Sequence, residues 1–246
     1  MKPHCLIRAS QALGVALSLA SAAAAAAATT CSVESRPLAL VELYTSEGCN
    51  SCPPAERWLN GVDALGRQGL VPLALHVDYW DYIGWKDPFA QAKFTDRQRQ
   101  LAKRSRANAV YTPGVFANGL EYRGWRGGDA PAAPAASWPA TLTQAIDAGS
   151  RVATLTLRSA DAGAQVFFAV TESNLTTHVK AGENKGETLT HNHVVREWHA
   201  ATPKREAGAW VAAARISYSR PGTLVAFVED RTGRVRTVAA APLCGL

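Results

Sequence analysis

Apolar and polar positions follow two different rhythms along the chain. Leu38 to Leu43 is a short, mainly apolar run and predicts a buried strand. After a polar turn, apolar residues fall at Ala55, Trp58, Leu59, Val62 and Leu65, which is helical spacing. Leu70 to Asp78 predicts a second strand, with Pro72 near its start because proline donates nothing to a ladder. Asp87-Pro88 has the form of an N-cap followed by proline at the first helical position, and Thr95-Asp96 opens a basic helix from Arg97 to Arg106. Val115-Phe116-Ala117, Asn118-Gly119 and Leu120-Glu121-Tyr122 predict a hairpin, since both central turn positions need positive φ. A Gly/Pro/Ala-rich link over 127–136 leads to an expected helix over 137–148.

Beyond Gly149 the rhythm becomes that of strands. Runs at Val152–Leu157, Gln165–Thr171, His193–Trp198, Trp210–Ile216, Thr223–Val228 and Val235–Ala240 are separated by turns such as Asp161-Ala162-Gly163 and Arg231-Thr232-Gly233. They predict an antiparallel β-sandwich. The expected division is a signal peptide over 1–28, an α/β domain over 29–149 and a β-sandwich domain over 150–246.

Composition supports an exported chain with a real core. Lys2 and Arg8 precede an apolar Ala/Leu/Val stretch ending near Ala28, the pattern of a cleaved secretory signal. An uncleaved membrane anchor is the rival, and the alanine-rich, leucine-poor stretch argues against it. No later segment is long and apolar enough to span a bilayer. The expected location is the periplasm or the exterior. With 246 residues, 47% of them hydrophobic, the chain can bury one large or two modest cores. The formal charge of +6 becomes +4 without Lys2 and Arg8, too mild to argue for a nucleic-acid partner.

Five cysteines become four once Cys5 leaves with the signal. Four allow three connectivities, and an oxidising compartment favours pairing. Cys49–Cys52 with Cys31–Cys244 is the favoured set, because chain termini often lie close together. The alternative leaves Cys31 and Cys244 as separate thiols or as resolving partners.

The chemistry concentrates at Cys49-Asn50-Ser51-Cys52, where the first strand hands over to the first helix. A helix N-terminus carries partial positive charge, which stabilises a thiolate, and the thiolate is the attacking species. Cys49, on the turn side, is expected to be exposed and nucleophilic, with Cys52 resolving. A purely structural bond across two residues would be a poor staple. A copper or zinc site on the same cysteines, completed by His76 or His191, is a second expectation. No histidine is fixed near the cysteines by the sequence, so no metal ligands are assigned. His76 and Asp78 alternate on one strand and share a face. Tyr79, Trp80, Tyr82 and Trp85 form either a wall for an apolar peptide or ordinary packing. Arg97, Arg99, Lys103, Arg104 and Arg106 are expected to be a solvated helix face. His191-Asn192-His193 is expected in a loop or strand start.

The order of parts over 38–148 resembles the thioredoxin-like fold. Val41-Glu42-Leu43-Tyr44-Thr45-Ser46-Glu47-Gly48-Cys49, His76-Val77-Asp78-Tyr79-Trp80-Asp81 and Tyr111-Thr112-Pro113 look more closely like a family of secreted bacterial thioredoxin-like proteins of unknown function. The second half shares the likeness through Gly182-Glu183-Asn184, Gly186 and His191 to Arg196. The resemblance implies an α/β thioredoxin-like domain, and the strand rhythm beyond it an antiparallel β-sandwich to follow. It implies a cis Thr112-Pro113 facing the disulfide, where an extended substrate could pair. It also implies Glu42 as a buried acid behind the disulfide, taking a proton from Cys52. Gly48 before the first cysteine, Asn50-Ser51 between the two and Pro53-Pro54 after them depart from ordinary thioredoxins, and the prolines should delay the helix. The expected activity is thiol–disulfide exchange with protein substrates, with no bound cofactor and electrons coming from a partner protein. A metal-delivery module and a non-catalytic interaction protein are the alternatives.

Overall fold

The structure is a computed structural model that describes residues 29–245 apart from 108, 136, 148 and 149. The signal-peptide expectation over 1–28, and Gly149 at the expected boundary, lie outside the described residues. In chain order the elements are β1 (Thr29–Glu34), β2 (Ala39–Thr45), α1 (Pro53–Asn60), β3 (Leu70–His76), α2 (Ala92–Arg104), β4 (Gly114–Ala117), β5 (Leu120–Glu121), β6 (Ala140–Asp147), β7 (Ser150–Leu157), β8 (Gln165–Glu172), β9 (Leu175–His178), β10 (Thr188–His191), β11 (Val194–Ala201), β12 (Lys204–Glu206), β13 (Ala209–Ile216), β14 (Thr223–Glu229) and β15 (Val235–Pro242). Two short 3-10 turns cover Asp81–Ile83 and Gly124–Gly127.

One eight-stranded sheet runs in the order β15-β14-β8-β11-β3-β2-β4-β5. A five-stranded sheet has the order β1-β6-β7-β13-β12, and β9 pairs with β10 alone. The pairs β2–β3 and β3–β11 are parallel; the other strand pairs are antiparallel.

This architecture overturns the expected α/β thioredoxin-like domain followed by a β-sandwich. The described residues are mostly strand, with two α-helices, and the sheets are mainly antiparallel. The sheet that holds β2, β3, β4 and β5 continues into β11, β8, β14 and β15, joined at the one paired position of β3 and β11, Ala74 with Val194. The helix expected over 137–148 is instead β6. Its apolar Ala140 and Leu142 alternate with Thr141 and Thr143, and period two is the strand rhythm. The helix expected at Asp87-Pro88 is a turn, in which the Asp87 carboxylate and carbonyl accept the N–H groups of Phe89 and Ala90.

Alternation along β2 divides the sheet's two faces. Leu40 and Tyr44 join the cluster of Phe94 and Leu101 from α2, with Phe116, Phe167 and Phe227. Ala39, Val41 and Leu43 face the other way, onto Ala55 and Leu59 of α1. At the far end of the sheet, Val166, Phe168 and Val170 of β8 pack against Leu142, Leu155 and Leu157 of the five-stranded sheet. Every residue of β2 and β3 is buried, which explains why apolar residues dominate both and why Glu42, Thr45 and His76 are all hydrogen-bonded. Pro72 sits inside β3 without breaking a ladder. The Ala74 N–H reaches His193 on the β11 side, and β11 pairs with β3 only at Ala74, so the position facing Pro72 is unpaired.

The Asn118-Gly119 turn closes the β4–β5 hairpin with φ of 50° and 84°. A Cβ on Gly119 would lie 2.2 Å from the Gly233 carbonyl oxygen, so the turn needs glycine for space as well as for its backbone angle.

Candidate functional site

Cys52 is the N-cap of α1, and the helix starts directly at Pro53. The two prolines therefore do not delay it; proline at the first helical position gives up an N–H that has no partner there anyway. Cys49 and Cys52 form one disulfide and Cys31 and Cys244 another, at Cα separations of 5.5 and 6.3 Å. The favoured pairing is the observed one. The exposure expected for Cys49 is not observed: both cysteines of the inner pair are 0% exposed, and only Asn50 and Ser51 between them face solvent.

Behind this turn lies a buried group of acids and histidines. Thr45 ends β2, His76 ends β3 and is in register with it, and Glu56 lies in the first turn of α1. The Thr45 hydroxyl donates to Glu56 at 2.5 Å. His191, the last residue of β10, bridges two carboxylates: Nδ1 is 2.8 Å from Glu56 and Nε2 is 3.0 Å from Glu47. His76 Nδ1 is 2.7 Å from Asp87, while its Nε2 is buried without a hydrogen-bond partner. Asp87 also accepts the Glu47 N–H, and Glu47 accepts the Trp85 indole N–H. Phe89 packs edge-on against both imidazoles.

The electrostatics follow from these pairings. Burial alone would push the His191 imidazole down, but the hydrogen bonds and charges of Glu47 and Glu56 outweigh it and hold it up at about 10. Burial would raise Glu56 and Asp87, yet His191 and His76 hold each of them below the usual carboxylate range. The network is therefore a place where a proton is held between fixed partners, out of contact with bulk water.

A strap from the second half closes over the cysteine turn. Asn184, between β9 and β10, donates to the carbonyls of Glu47 and Cys49, and Glu183 accepts the Asn50 N–H at 3.0 Å. Gly182, at φ 76°, leaves no room for a side chain against Ile83 and Trp85.

The expected site residues are brought together only in part. Glu42 lies on the α2 face of β2, opposite Thr45 and Glu56, where Arg97 clamps it at 2.9 and 3.0 Å and the Tyr44 hydroxyl donates to it at 2.7 Å. It does not stand behind the disulfide, because a one-residue step along a strand reverses the side chain. Arg97 is buried, contrary to the solvated face expected of it. It pairs also with Glu229 and lies over the Phe167 ring at 4.7 Å. Thr112-Pro113 is cis, and the Trp80 indole donates to the Thr112 hydroxyl at 2.7 Å while its Cβ faces Gly48. His76 and Asp78 are not paired; Asp78 accepts from Thr95 instead. The expected cysteine ligation of a metal is not observed, since both sulfurs are bonded to each other. His76 and His191 do meet, at 5.1 Å between ring centroids.

Sequence reasoning missed Glu47, Glu56, Asp87 and Asn184. Glu56 had a visible signal: it lies beside Ala55 and one residue short of a full turn from Leu59 on the buried stripe of α1, where an unpaired carboxylate has no place. Glu47 and Asn184 stood in the stretches that carry the family resemblance, but their roles were not legible, because their partner positions are more than 130 residues apart.

Two disulfides are the mark of a chain that folds in an oxidising, extracytoplasmic environment. Among the described residues, no helix is long and apolar enough to cross a membrane. No functionally curated protein matches the chain. A crystal structure of a protein from Agrobacterium tumefaciens is similar to it at 23% identity and a TM-score of 0.55, covering 85% of this chain and 94% of that one. That likeness concerns the fold alone, and no comparison supports the thioredoxin-like assignment. A family model described as a protein of unknown function, DUF1223, matches residues 40–229, and the chain belongs to that family.

Proposed function

We propose that this is a periplasmic or secreted protein that exchanges thiols and disulfides with protein substrates through Cys49 and Cys52. The supporting observation is the contrast between its two disulfides. Cys31–Cys244 spans 213 residues and Cys49–Cys52 spans three. On chain entropy the first restrains the unfolded state by about 5 kcal/mol and the second by only about 2 kcal/mol. The short bond is a weak staple, yet it occupies the head of a helix, where a departing thiolate is stabilised.

In the oxidised form a substrate thiolate attacks Cys49, and Cys52 leaves as the thiolate. A second substrate thiol then attacks the mixed disulfide at the substrate sulfur. The substrate gains a disulfide, and Cys49 and Cys52 are left reduced. Their two electrons pass to a redox partner protein, and no bound cofactor takes part. Because Cys49 is sealed, exchange requires the strap around Asn184 to lift. Its three hydrogen bonds to the turn cost about 3 kcal/mol to break at about 1 kcal/mol each, so the open form would be present at roughly one part in a hundred.

The test is trapping in an export-competent host. Cys52→Ala leaves Cys49 as a free thiol that runs the exchange in reverse, attacking a substrate disulfide, and with no resolving thiol it should accumulate partners held covalently on Cys49 and released by dithiothreitol. A Cys52→Ala protein that carries no conjugates, together with a wild-type Cys49–Cys52 bond that stays oxidised across a dithiothreitol ladder, would remove the proposal.

A further inference from the structure

We propose that Glu56, His76 and His191 form a zinc site that uses neither cysteine. Their ligand atoms lie within 4.8 Å of one another, and all three residues are buried. They come from the first turn of α1, the end of β3 and the end of β10, three elements fixed by the core.

The strongest pointer is His76. Its Nδ1 is committed to Asp87, and its Nε2 is buried with no hydrogen-bond partner. A buried polar atom left unmatched is unfavourable, and a ligand bond would remove that cost. The surroundings have the form of a metal centre's outer shell. Ligating histidines generally hand their other ring nitrogen to a carboxylate, which fixes ring orientation. Here Asp87 serves His76 and Glu47 serves His191. Both carboxylates are themselves held, Asp87 by the N–H groups of Glu47 and Phe89 and Glu47 by the Trp85 indole.

The donor set decides which ion fits. Two imidazoles and one carboxylate suit zinc, whereas calcium and magnesium require shells of oxygen.

The ion would replace the proton shared by His191 Nδ1 and Glu56, now 2.8 Å apart. Tetrahedral zinc ligands at 2.0–2.2 Å stand about 3.3 Å from one another, so this pair opens slightly while His76 draws in. A surface cavity of about 250 Å³, lined by Pro53, Glu56, Arg57, Asn60 and Thr190, borders Glu56 and marks the side from which an ion would enter. The site is independent of the proposed exchange chemistry, because it is complete while Cys49 and Cys52 remain bonded.

The test uses the untagged, oxidised full chain. After equilibration with micromolar zinc and gel filtration, one zinc per chain is expected, together with a rise in thermal midpoint. His76→Gln keeps a group for Asp87 but removes the ligand, and should weaken zinc by more than about a hundredfold. Asp87→Asn should weaken it by about 10–100-fold, as outer-shell changes do. If His76→Gln fails to fold, cobalt substitution of the wild-type chain decides. Tetrahedral d–d bands without a thiolate-to-cobalt charge-transfer band support the site. A charge-transfer band would move the metal to the cysteines and overturn it. So would zinc retained in full by folded His76→Gln, or no zinc bound by the wild-type chain.

Discussion

Asn184 donates from one amide nitrogen to two carbonyl oxygens, those of Glu47 at 2.8 Å and Cys49 at 2.9 Å. That one side chain fastens the β9–β10 loop to a turn 135 residues earlier in the chain. It also explains how a disulfide at a helix start can be fully buried although the two residues inside it are exposed.

Asn184→Ala should therefore speed reduction of the Cys49–Cys52 bond. Losing two hydrogen bonds at about 1 kcal/mol each favours the open strap by roughly thirtyfold. Timed reduction by dithiothreitol, quenched by maleimide and read by mass, measures the rate. The thermal midpoint should fall by only a few degrees, at about 2–4 °C per kcal/mol for a chain of this size. A reduction rate equal to wild type would show that the strap does not control access.

The two disulfides should also separate in stability. Replacing Cys31 and Cys244 by serine should cost up to about 5 kcal/mol, against about 2 kcal/mol for the same change at Cys49 and Cys52. Urea unfolding of each pair variant gives the comparison. Equal losses would make the short bond a staple after all and would weaken the case for exchange.

Much of the strand content was legible because period-two and unbroken apolar runs report burial directly. The runs at 165–171, 223–228 and 235–240 became β8, β14 and β15 with small shifts at their ends. What could not be read was which strands share a sheet. The hydrogen bond between the Ala74 N–H and the His193 carbonyl joins the two halves, and no local pattern encodes a contact across that distance. The helix expected over 137–148 failed because alanine suits helices while the Ala140, Leu142, Gln144 alternation belongs to a strand paired on both sides, with β1 and β7. In the candidate site, Cys49 and Cys52 announced themselves, and His76 and His191 were noticed singly. Their meeting, and the carboxylates that hold them, arise from tertiary packing. Glu42 was misplaced for a simpler reason: one residue along β2 turns a side chain from the α1 face to the α2 face.

The opposite face yields a prediction of its own. Arg97 is buried among aromatic rings and holds both Glu42 and Glu229. Arg97→Met leaves Glu42 buried without its cation, while Glu229 keeps Arg104 at 2.8 Å, and should cost about 3–5 kcal/mol, the usual penalty for breaking a buried pair. Glu42→Gln should lower stability too, yet leave the pH dependence of disulfide reduction unchanged, since Glu42 does not face Cys52. A shifted pH profile in Glu42→Gln would restore the proton-accepting role first expected of it.

Acid should reveal the turn that joins β14 to β15. Asp230 is buried there, which alone would raise its carboxyl. Hydrogen bonds from Thr232, Arg236 and the backbone N–H groups of Arg234 and Thr232 outweigh burial and hold it at about 2. Its folded-state value is thus below the unfolded one, near 3.9. The stabilisation is complete above about pH 4 and is lost as pH falls towards 2, amounting to about 2 kcal/mol in all. Asp230→Asn removes the titration, so it should be less stable than wild type at pH 7, and the difference should shrink between pH 4 and pH 2. Urea midpoints of both proteins across that range measure it. A gap that stays constant down to pH 2 would mean that the lost stability comes from the geometry of the turn and not from the charge on Asp230.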